Sequence, residues 1–312
     1  MNRGIYIVAN NRVLDQSIAL LNSIRLHDPE TPIVLIPYDE NYHQVATALA
    51  QHQVQLFPDL DLLEALSHRL HKIFGDRFFD KPNKLRKQAC WLGPFDEFLY
   101  IDTDIVVFEK IIDVLRYFDQ YDFLCADYQH RSGIQNIFSP IVREKEILTS
   151  AELQDVFNSG FWAAKKHLLP EKDLYALCAE CAAHPEYFDF SGKVSDQPIL
   201  NYLVLKQISR RLNLARQAES VPGNWAGSPH FVAQDNQLFD PQTGRSLQFL
   251  HWAGIKIQPE CPYWEIWKYY RFLNASPDET LLFQDNAGHL KKQPQIRQMQ
   301  RMLQKLGQLI KK

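Results

Sequence analysis

No run of apolar residues in this 312-residue chain approaches the length that crosses a bilayer, so a membrane-spanning protein is not expected. Cysteine is scarce: five residues, an odd number scattered along the chain, do not make a disulfide framework. The one close pair, Cys178 and Cys181, has His167 and His184 nearby, but a zinc site wants a second ligand pair at suitable spacing. The run Leu174–Ala182 reads instead as a helix with two small buried thiols. Charge of one sign is also lacking. Lys and Arg number 34 against 37 Asp and Glu, and a net charge of −3 offers no electrostatic case for binding nucleic acid. There is no internal repeat. The first apolar run, beginning at Ile5, is too short for a secretory signal, so a cytoplasmic location is expected.

What is present is ordinary globular composition, 46% hydrophobic and 23% charged, enough for two small domains or one large α/β unit. The first third alternates. Ile5 to Ala9 reads as a strand, Asp15 to Leu26 as a helix, Ile33 to Pro37 and Val54 to Phe57 as strands. Helical patterns follow over Leu62 to Phe74 and Lys84 to Leu92, then a strand from Phe98 to Asp102. This order predicts a mostly parallel sheet flanked by helices. Further on, Phe123 to Ala126 and Phe157 to Ala164 read as strands and 196–206 as a helix. Residues 207–230 are rich in breakers, and Phe231 to Phe239 with Leu247 to Trp252 suggest a hairpin. The aromatics from Tyr263 to Leu273 fall at helical spacing and read as core.

Asp102-Thr103-Asp104 follows the apolar run Phe98-Leu99-Tyr100-Ile101. In extended chain residues i and i+2 point the same way, so the two carboxylates could converge on one hard cation. In open α/β sheets ligands bind beyond the carboxyl ends of the strands, and a metal there could grip a diphosphate. The triplet alone is weak, since a chain this long carries about one Asp-x-Asp by chance. Asp59-Leu60-Asp61 makes the point: it follows Pro58 and opens a helical pattern, so it reads as a cap.

Other polar segments do not look like core. Asn10-Asn11 end the first strand, although Asn11 has a bland reading as a cap of the first helix. Asn158-Ser159-Gly160 interrupts a strand. Ser195-Asp196-Gln197-Pro198 opens a helix, with Ser195 as a candidate cap, and His251-Trp252-Ala253-Gly254 ends the last strand. In this order, with Ala19 to Ile24, Leu99 to Val107, Phe157 to Phe161, Asp196 to Asn201 and Leu250 to Gly254, the chain resembles the retaining glycosyltransferases of family 8, the glycogenin and bacterial lipooligosaccharide galactosyltransferase type, over residues 5–256.

That resemblance implies a GT-A fold over 1–256, a mostly parallel α/β sheet, followed by an aromatic-rich and basic helical extension over 257–312. It implies metal-dependent transfer of a sugar from a nucleotide-diphosphate sugar, with retention. Asp102, Asp104 and His251 would hold Mn²⁺, with Mg²⁺ as a second choice. Asp196 and Gln197 would be catalytic. Ala9, Asn10, Asn11, Thr103, Asn158, Ser159, Gly254 and Lys256 would contact the donor. The family's basic donor-binding residue falls at Lys87, with Arg86 and Lys84 competing for the place. UDP-sugars are the favoured donors; the acceptor, whether glycan, lipid or protein, stays open. The sequence departs from the family where Val13 replaces an aromatic that stacks on uracil, where Asn11 replaces an acid, and where Lys256 comes one position early. Those departures leave the nucleobase open and keep two rivals in view: a catalytically inactive sugar-nucleotide-binding protein, and a phosphohydrolase of the haloacid-dehalogenase type, whose Asp-x-Asp signature Asp102-Thr103-Asp104 also resembles. Beyond Lys291 the chain is basic. Ile296, Met299, Leu303, Leu306 and Ile310 form an apolar stripe opposite Lys291, Lys292, Arg297, Arg301, Lys305, Lys311 and Lys312. Such a helix packs on protein or lies on an anionic membrane, and packing on protein is the expectation.

Overall fold

Long apolar runs in a strand mean burial on both faces, and the central strands of this chain feed two separate cores. A computed structural model describes residues 2–75, 78, 82–126, 134, 137–190 and 195–277; the basic stripe beyond Lys291 lies outside them. The parallel half of the sheet comprises β1 (Arg3–Ala9), β2 (Ile33–Pro37), β3 (Val54–Leu56) and β4 (Glu97–Ile101). Its connections are α1 (Leu14–His27), α2 (His43–Ala50), α3 (Leu60–Phe74) and a 3-10 helix over Pro82–Trp91. Then come β5 (Ile105–Val107), a 3-10 helix over Ile111–Asp119, β6 (Phe123–Cys125), the short α4 (Ile141–Glu144) and α5 (Ser150–Gln154), and β7 (Phe161–Lys165). The remainder is α6 (Glu171–Ala183), α7 (Gln197–Gln207), β8 (Arg211–Asn213), β9 (Val232–Gln234), β10 (Gln237–Asp240), β11 (Arg245–Ser246), β12 (Phe249–His251) and α8 (Trp264–Phe272).

The main sheet has seven strands in the order β3-β2-β1-β4-β7-β6-β8, with β7 antiparallel to both neighbours. Alternate residues divide between its faces. Tyr6, Val34, Ile36, Phe98 and Tyr100 pack with α3, the 82–91 segment, α6 and α7. Ile5, Ile7, Leu35, Leu99 and Ile101 pack with α1, α2 and the 111–118 segment. Residues Ser17 to Ile24 of α1 are all buried, because α8 covers the outer side of that helix. Asn22 Nδ2 donates to Tyr270 O at 2.8 Å, and Arg271 pairs with Asp15 at 2.7 Å. Trp267 and Tyr270 are buried there, as the core reading of the aromatic segment expects. No described helix is long and apolar enough to cross a membrane.

Several expectations change. The strand expected from Phe157 begins only at Phe161, leaving 157–160 as irregular chain. The expected hairpin is split. β9 and β10 pair with each other across Asp235 and Asn236, both at positive φ, and β11 continues that small sheet, while β12 leaves it to pair with β5. Asn11 does not cap α1. Its Oδ1 accepts from Val45 N at 3.0 Å, near the start of α2, while Asn10 Oδ1 caps the turn over Asn11–Val13 by accepting from Arg12 N. Ser195 is not a cap either; Asp196 stands at the N-cap position of α7 and makes no side-chain cap bond.

Two features hold as expected. Cys178 and Cys181 are buried on α6, and burial pushes the Cys178 thiol up to about 12, far from a metal-ready thiolate. Asp59 caps α3, its Oδ1 accepting from Leu62 N at 2.9 Å. Asp59→Ala should therefore lower stability by about 1 kcal/mol. Urea denaturation should show this as a lower midpoint at unchanged slope, with the site at Asp102 and Asp104 unaltered.

Candidate active site

The chain does not stay extended through Asp102-Thr103-Asp104. β4 ends at Ile101 and β5 begins at Ile105, so the triplet forms the turn between them and the i, i+2 argument does not apply. Asp102 N donates to Gly160 O at 2.8 Å, which holds the turn against the segment entering β7. Asp104 is reached from the other side by β12. His251 pairs with Ile105, and Trp252 N donates to Asp104 O at 3.0 Å. The segment 224–226 clamps the opposite edge of His251: His251 N donates to Asn224 O at 2.7 Å, and Ala226 N to His251 O at 2.9 Å. The imidazole Nε2 then lies 3.2 Å from Asp104 Oδ1. One ligand atom from each of Asp102, Asp104 and His251 falls within 4.8 Å of the others. About a third of each carboxylate side chain remains open, 32% for Asp102 and 29% for Asp104, while His251 is buried beneath them.

Lys87 closes the inner side. Its Nζ lies 2.8 Å from Asp196 Oδ2, at ion-pair distance without hydrogen-bond alignment, and 3.7 Å from Asp102 Oδ1. It also donates to Ser159 O at 3.3 Å. Burial disfavours its charge, but Asp102 and Asp196 outweigh burial and hold its pKa above the usual lysine value. For Asp102, burial raises the carboxyl more than Lys87 lowers it, and Asp104 adds to the rise. In Asp104 the same burial is outweighed by His251, and the pKa is lowered. Arg86, the rival for the basic place, points elsewhere. Its Nε donates to Ser67 Oγ at 2.8 Å, its Nη1 to Pro37 O at 3.0 Å, and it pairs with Glu64.

Asn158, Ser159 and Gln197 meet beside Lys87. Gln197 Oε1 accepts from Asn158 Nδ2 at 3.2 Å and from Ser159 N at 3.0 Å. A backbone N–H can only donate, so this contact sets the orientation of the Gln197 amide and occupies both lone pairs of its oxygen. Buried Asn201 ties the same two segments together, accepting from Phe157 N and donating to Phe157 O and Gln197 O, each at 2.9 Å. Thr103 is buried inside the turn. Ala9 and Asn10 sit buried at the carboxyl end of β1, where Asn10 Nδ2 donates to Asp39 Oδ2 at 2.8 Å. Gly254, at a positive φ of 74°, and Lys256 are both exposed in the chain after β12.

Asp39 carries no local sequence signal of a role and arrives through the parallel register of β1 and β2, whereas Asn201 and Gly160 lie in segments the sequence marked, without a role assigned to either. A Cβ on Gly160 would lie 2.4 Å from His251 Cε1 and 2.8 Å from Asp102 Oδ2, so the close approach admits only glycine. Tyr100, one residue before the end of β4, also belongs to the site; its OH donates to Asp102 Oδ1 at 2.5 Å. The donor set fits a divalent cation. Three carboxylates face one ammonium and one imidazole, leaving negative charge to neutralise. Mixed oxygen and imidazole donors suit Mn²⁺ better than Mg²⁺, which favours oxygen and water.

No family model matches the chain. Among curated proteins, the uncharacterized protein YfnF of Bacillus subtilis (strain 168) is 22% identical over 257 residues, 78% of each chain. Among solved structures, the galactosyltransferase LgtC in complex with donor and acceptor sugar analogs superposes with a TM-score of 0.58 at 13% identity, over 88% of this chain and 98% of its own. The bifunctional glycosyltransferase WbbM gives 0.60 at 13% identity, over 90% of this chain; the chain spans about half of WbbM, 51%. The fold is GT-A. Within this GT-A fold the acidic turn ends the fourth strand, at the middle of the main sheet, and His251 comes from the small antiparallel pair beside it.

Gly160→Ala should push the His251 ring and the Asp102 carboxylate apart. The overpacking should lower stability by about 1–3 kcal/mol. Divalent-cation affinity should fall at least about tenfold, as losses around ligand shells commonly do. Denaturation and Mn²⁺ titration of the same sample check the two parts separately.

Proposed function

We propose that the protein is a divalent-metal-dependent glycosyltransferase that moves a sugar from a nucleotide-diphosphate sugar to an acceptor with retention. The observation that carries this reading is the convergence of Asp102, Asp104 and His251 at the mouth of the central strands of a GT-A fold. These three residues would hold the cation, with Mn²⁺ the best match to their donors. Such a cation supplies Lewis-acid neutralisation of the charge that develops on a departing diphosphate.

The remaining steps belong to side chains of this chain. Asp196 is the available oxygen for stabilising an oxocarbenium-like sugar, because both lone pairs of Gln197 Oε1 are occupied by Asn158 and Ser159. Gln197 acts through its Nε2, as a donor to the sugar. Lys87 holds the Asp196 carboxylate in place beside Asp102. Asn158 and Ser159 line the donor-sugar side, and Ala9, Asn10 and Asn11, with Asp39 alongside, form the nucleoside end. UDP-sugars are the first donors to test. The acid Asp39 stands beside Asn10 where the sequence pattern lacks one at Asn11, which supports a nucleoside site at the carboxyl ends of β1 and β2. Gly254 and Lys256 reach the diphosphate from the chain after β12. The phosphohydrolase reading needs its aspartates at the end of the first core strand, whereas here they follow the fourth.

A screen of nucleotide sugars for Mn²⁺-dependent thermal stabilisation should find a donor, since a ligand that binds only the native state raises its stability. With that donor, Asp104→Asn should abolish Mn²⁺-dependent transfer. Asp196→Ala should lower kcat by about 10²–10³ while leaving the donor's thermal shift nearly intact, because its charge acts mainly in the transition state. Equal losses of binding and turnover would take Asp196 out of the catalytic role. Donor binding without transfer to any acceptor or to water would make the chain an inactive binding protein, and phosphate release from simple monoesters would revive the phosphohydrolase.

A further inference from the structure

Tyr100 is 2% exposed and cannot touch a substrate, yet it is bonded to the centre of the site. Its ring stacks on Trp162 at 5.5 Å and 27°, and Trp162 stacks in turn on Trp91 at 5.4 Å and 26°. Phe98 packs edge-on against both tryptophans. This column of rings leaves the phenol one position. Tyr100 lies near the end of β4 and Asp102 in the turn that follows it, and the hydroxyl donates to Asp102 Oδ1 at 2.5 Å. Lys87 Nζ also faces this oxygen, at 3.7 Å, and lies 4.7 Å from the centre of the Tyr100 ring.

The two oxygens of Asp102 are therefore not equivalent. Oδ1 is directed into the protein, toward Tyr100 and Lys87. Oδ2 is directed toward Gly160 and His251: the missing Gly160 Cβ is the space in which Oδ2 and His251 Cε1 approach each other. We infer that Tyr100 is a positioning residue that locks the Asp102 carboxylate so that Oδ1 stays bound inside the fold and Oδ2 is presented to the cation shared with Asp104 and His251. The inference rests on the metal-dependent reading above and deepens it.

The alternative partner of Oδ1 makes the lock necessary. Lys87 already touches Asp196 at 2.8 Å and needs to move little to close its 3.7 Å gap to Asp102. Without the phenol, the carboxylate is free to turn onto the ammonium and draw Oδ2 away from His251. Tyr100 opposes this twice, by bonding Oδ1 directly and by holding the ammonium over its ring. A ligand whose orientation is set by a fixed neighbour is ready when the cation arrives.

Tyr100→Phe isolates the hydroxyl, because the ring stack on Trp162 and the contact with Lys87 remain. Mn²⁺ binding to the wild type and to the variant, followed by the electron paramagnetic resonance of free Mn²⁺, should show a dissociation constant raised about 10–100-fold. The thermal midpoint of the metal-free variant should stay within about 4 °C of the wild type. At saturating Mn²⁺, turnover should largely recover. A wild-type Mn²⁺ constant in Tyr100→Phe would overturn the inference while leaving the metal reading intact. A weakened constant that tracks an equal collapse of metal-free stability would reduce Tyr100 to a structural part. Absence of Mn²⁺ binding in the wild type would overturn the metal reading and this inference together.

Discussion

The antiparallel pairing of β12 with β5 is the constraint on which the site depends. β5 has three residues and follows Asp104 directly, so whatever pairs with Ile105 is delivered to the acidic turn. That residue is His251. Its own N–H and C=O are bonded to Asn224 O and Ala226 N, and the next residue, Trp252, donates its N–H to Asp104 O, so the ring is held at one height beside Asp104. Side chains alternate along a strand, so a slip of one residue would turn the imidazole to the other face and dissolve the cluster.

The second constraint is electrical. Lys87 comes from the 82–91 helix, Asp102 from the turn after β4 and Asp196 from the start of α7, and the buried ammonium joins all three elements. A buried charge is tolerable only with partners. Lys87 has two carboxylates and the Ser159 carbonyl, so the same contacts that satisfy it also register α7 against the sheet. Asp196 occupies an N-cap position without capping, and its carboxylate turns to Lys87 instead. Beneath this polar layer, Trp91, Trp162, Phe98 and Tyr100 form an aromatic floor that resists displacement.

Much of this was legible in the residues. The apolar runs of β1, β2 and β4 identified the buried parallel strands, because only burial on both faces suits such runs. Context separated two Asp-x-Asp triplets: Asp59 precedes a helical pattern and caps it, while Asp102 follows a strand and pairs with Lys87 at the site. β5 has three residues and α2 eight with only Val45 and Leu49 buried, too little pattern to be read. The 3-10 helix Ile111–Asp119, by contrast, is amphipathic, burying Ile111, Ile112, Val114, Leu115 and Phe118, and went unread in the sequence. The geometry expected within Asp102-Thr103-Asp104 was mistaken, since extended chain was assumed where the strand breaks to let β5 depart.

By itself the sequence determined which residues could be apolar strand, that Asp59 caps α3, and where carboxylates, amides and an imidazole stood at the ends of elements. Local rules act over a few residues, so a few residues carry them. The tertiary structure alone decided which polar groups meet. Arg86 and Lys87 are neighbours in one helical turn, yet Arg86 reaches Ser67 and the end of β2 while Lys87 reaches Asp102 and Asp196. Adjacent residues on a 3-10 helix point about 120° apart. Which of those directions faces the cleft is set by the sheet and the helices packed around that turn, and their positions are fixed by strand register and burial across the whole fold rather than by any neighbour in the chain.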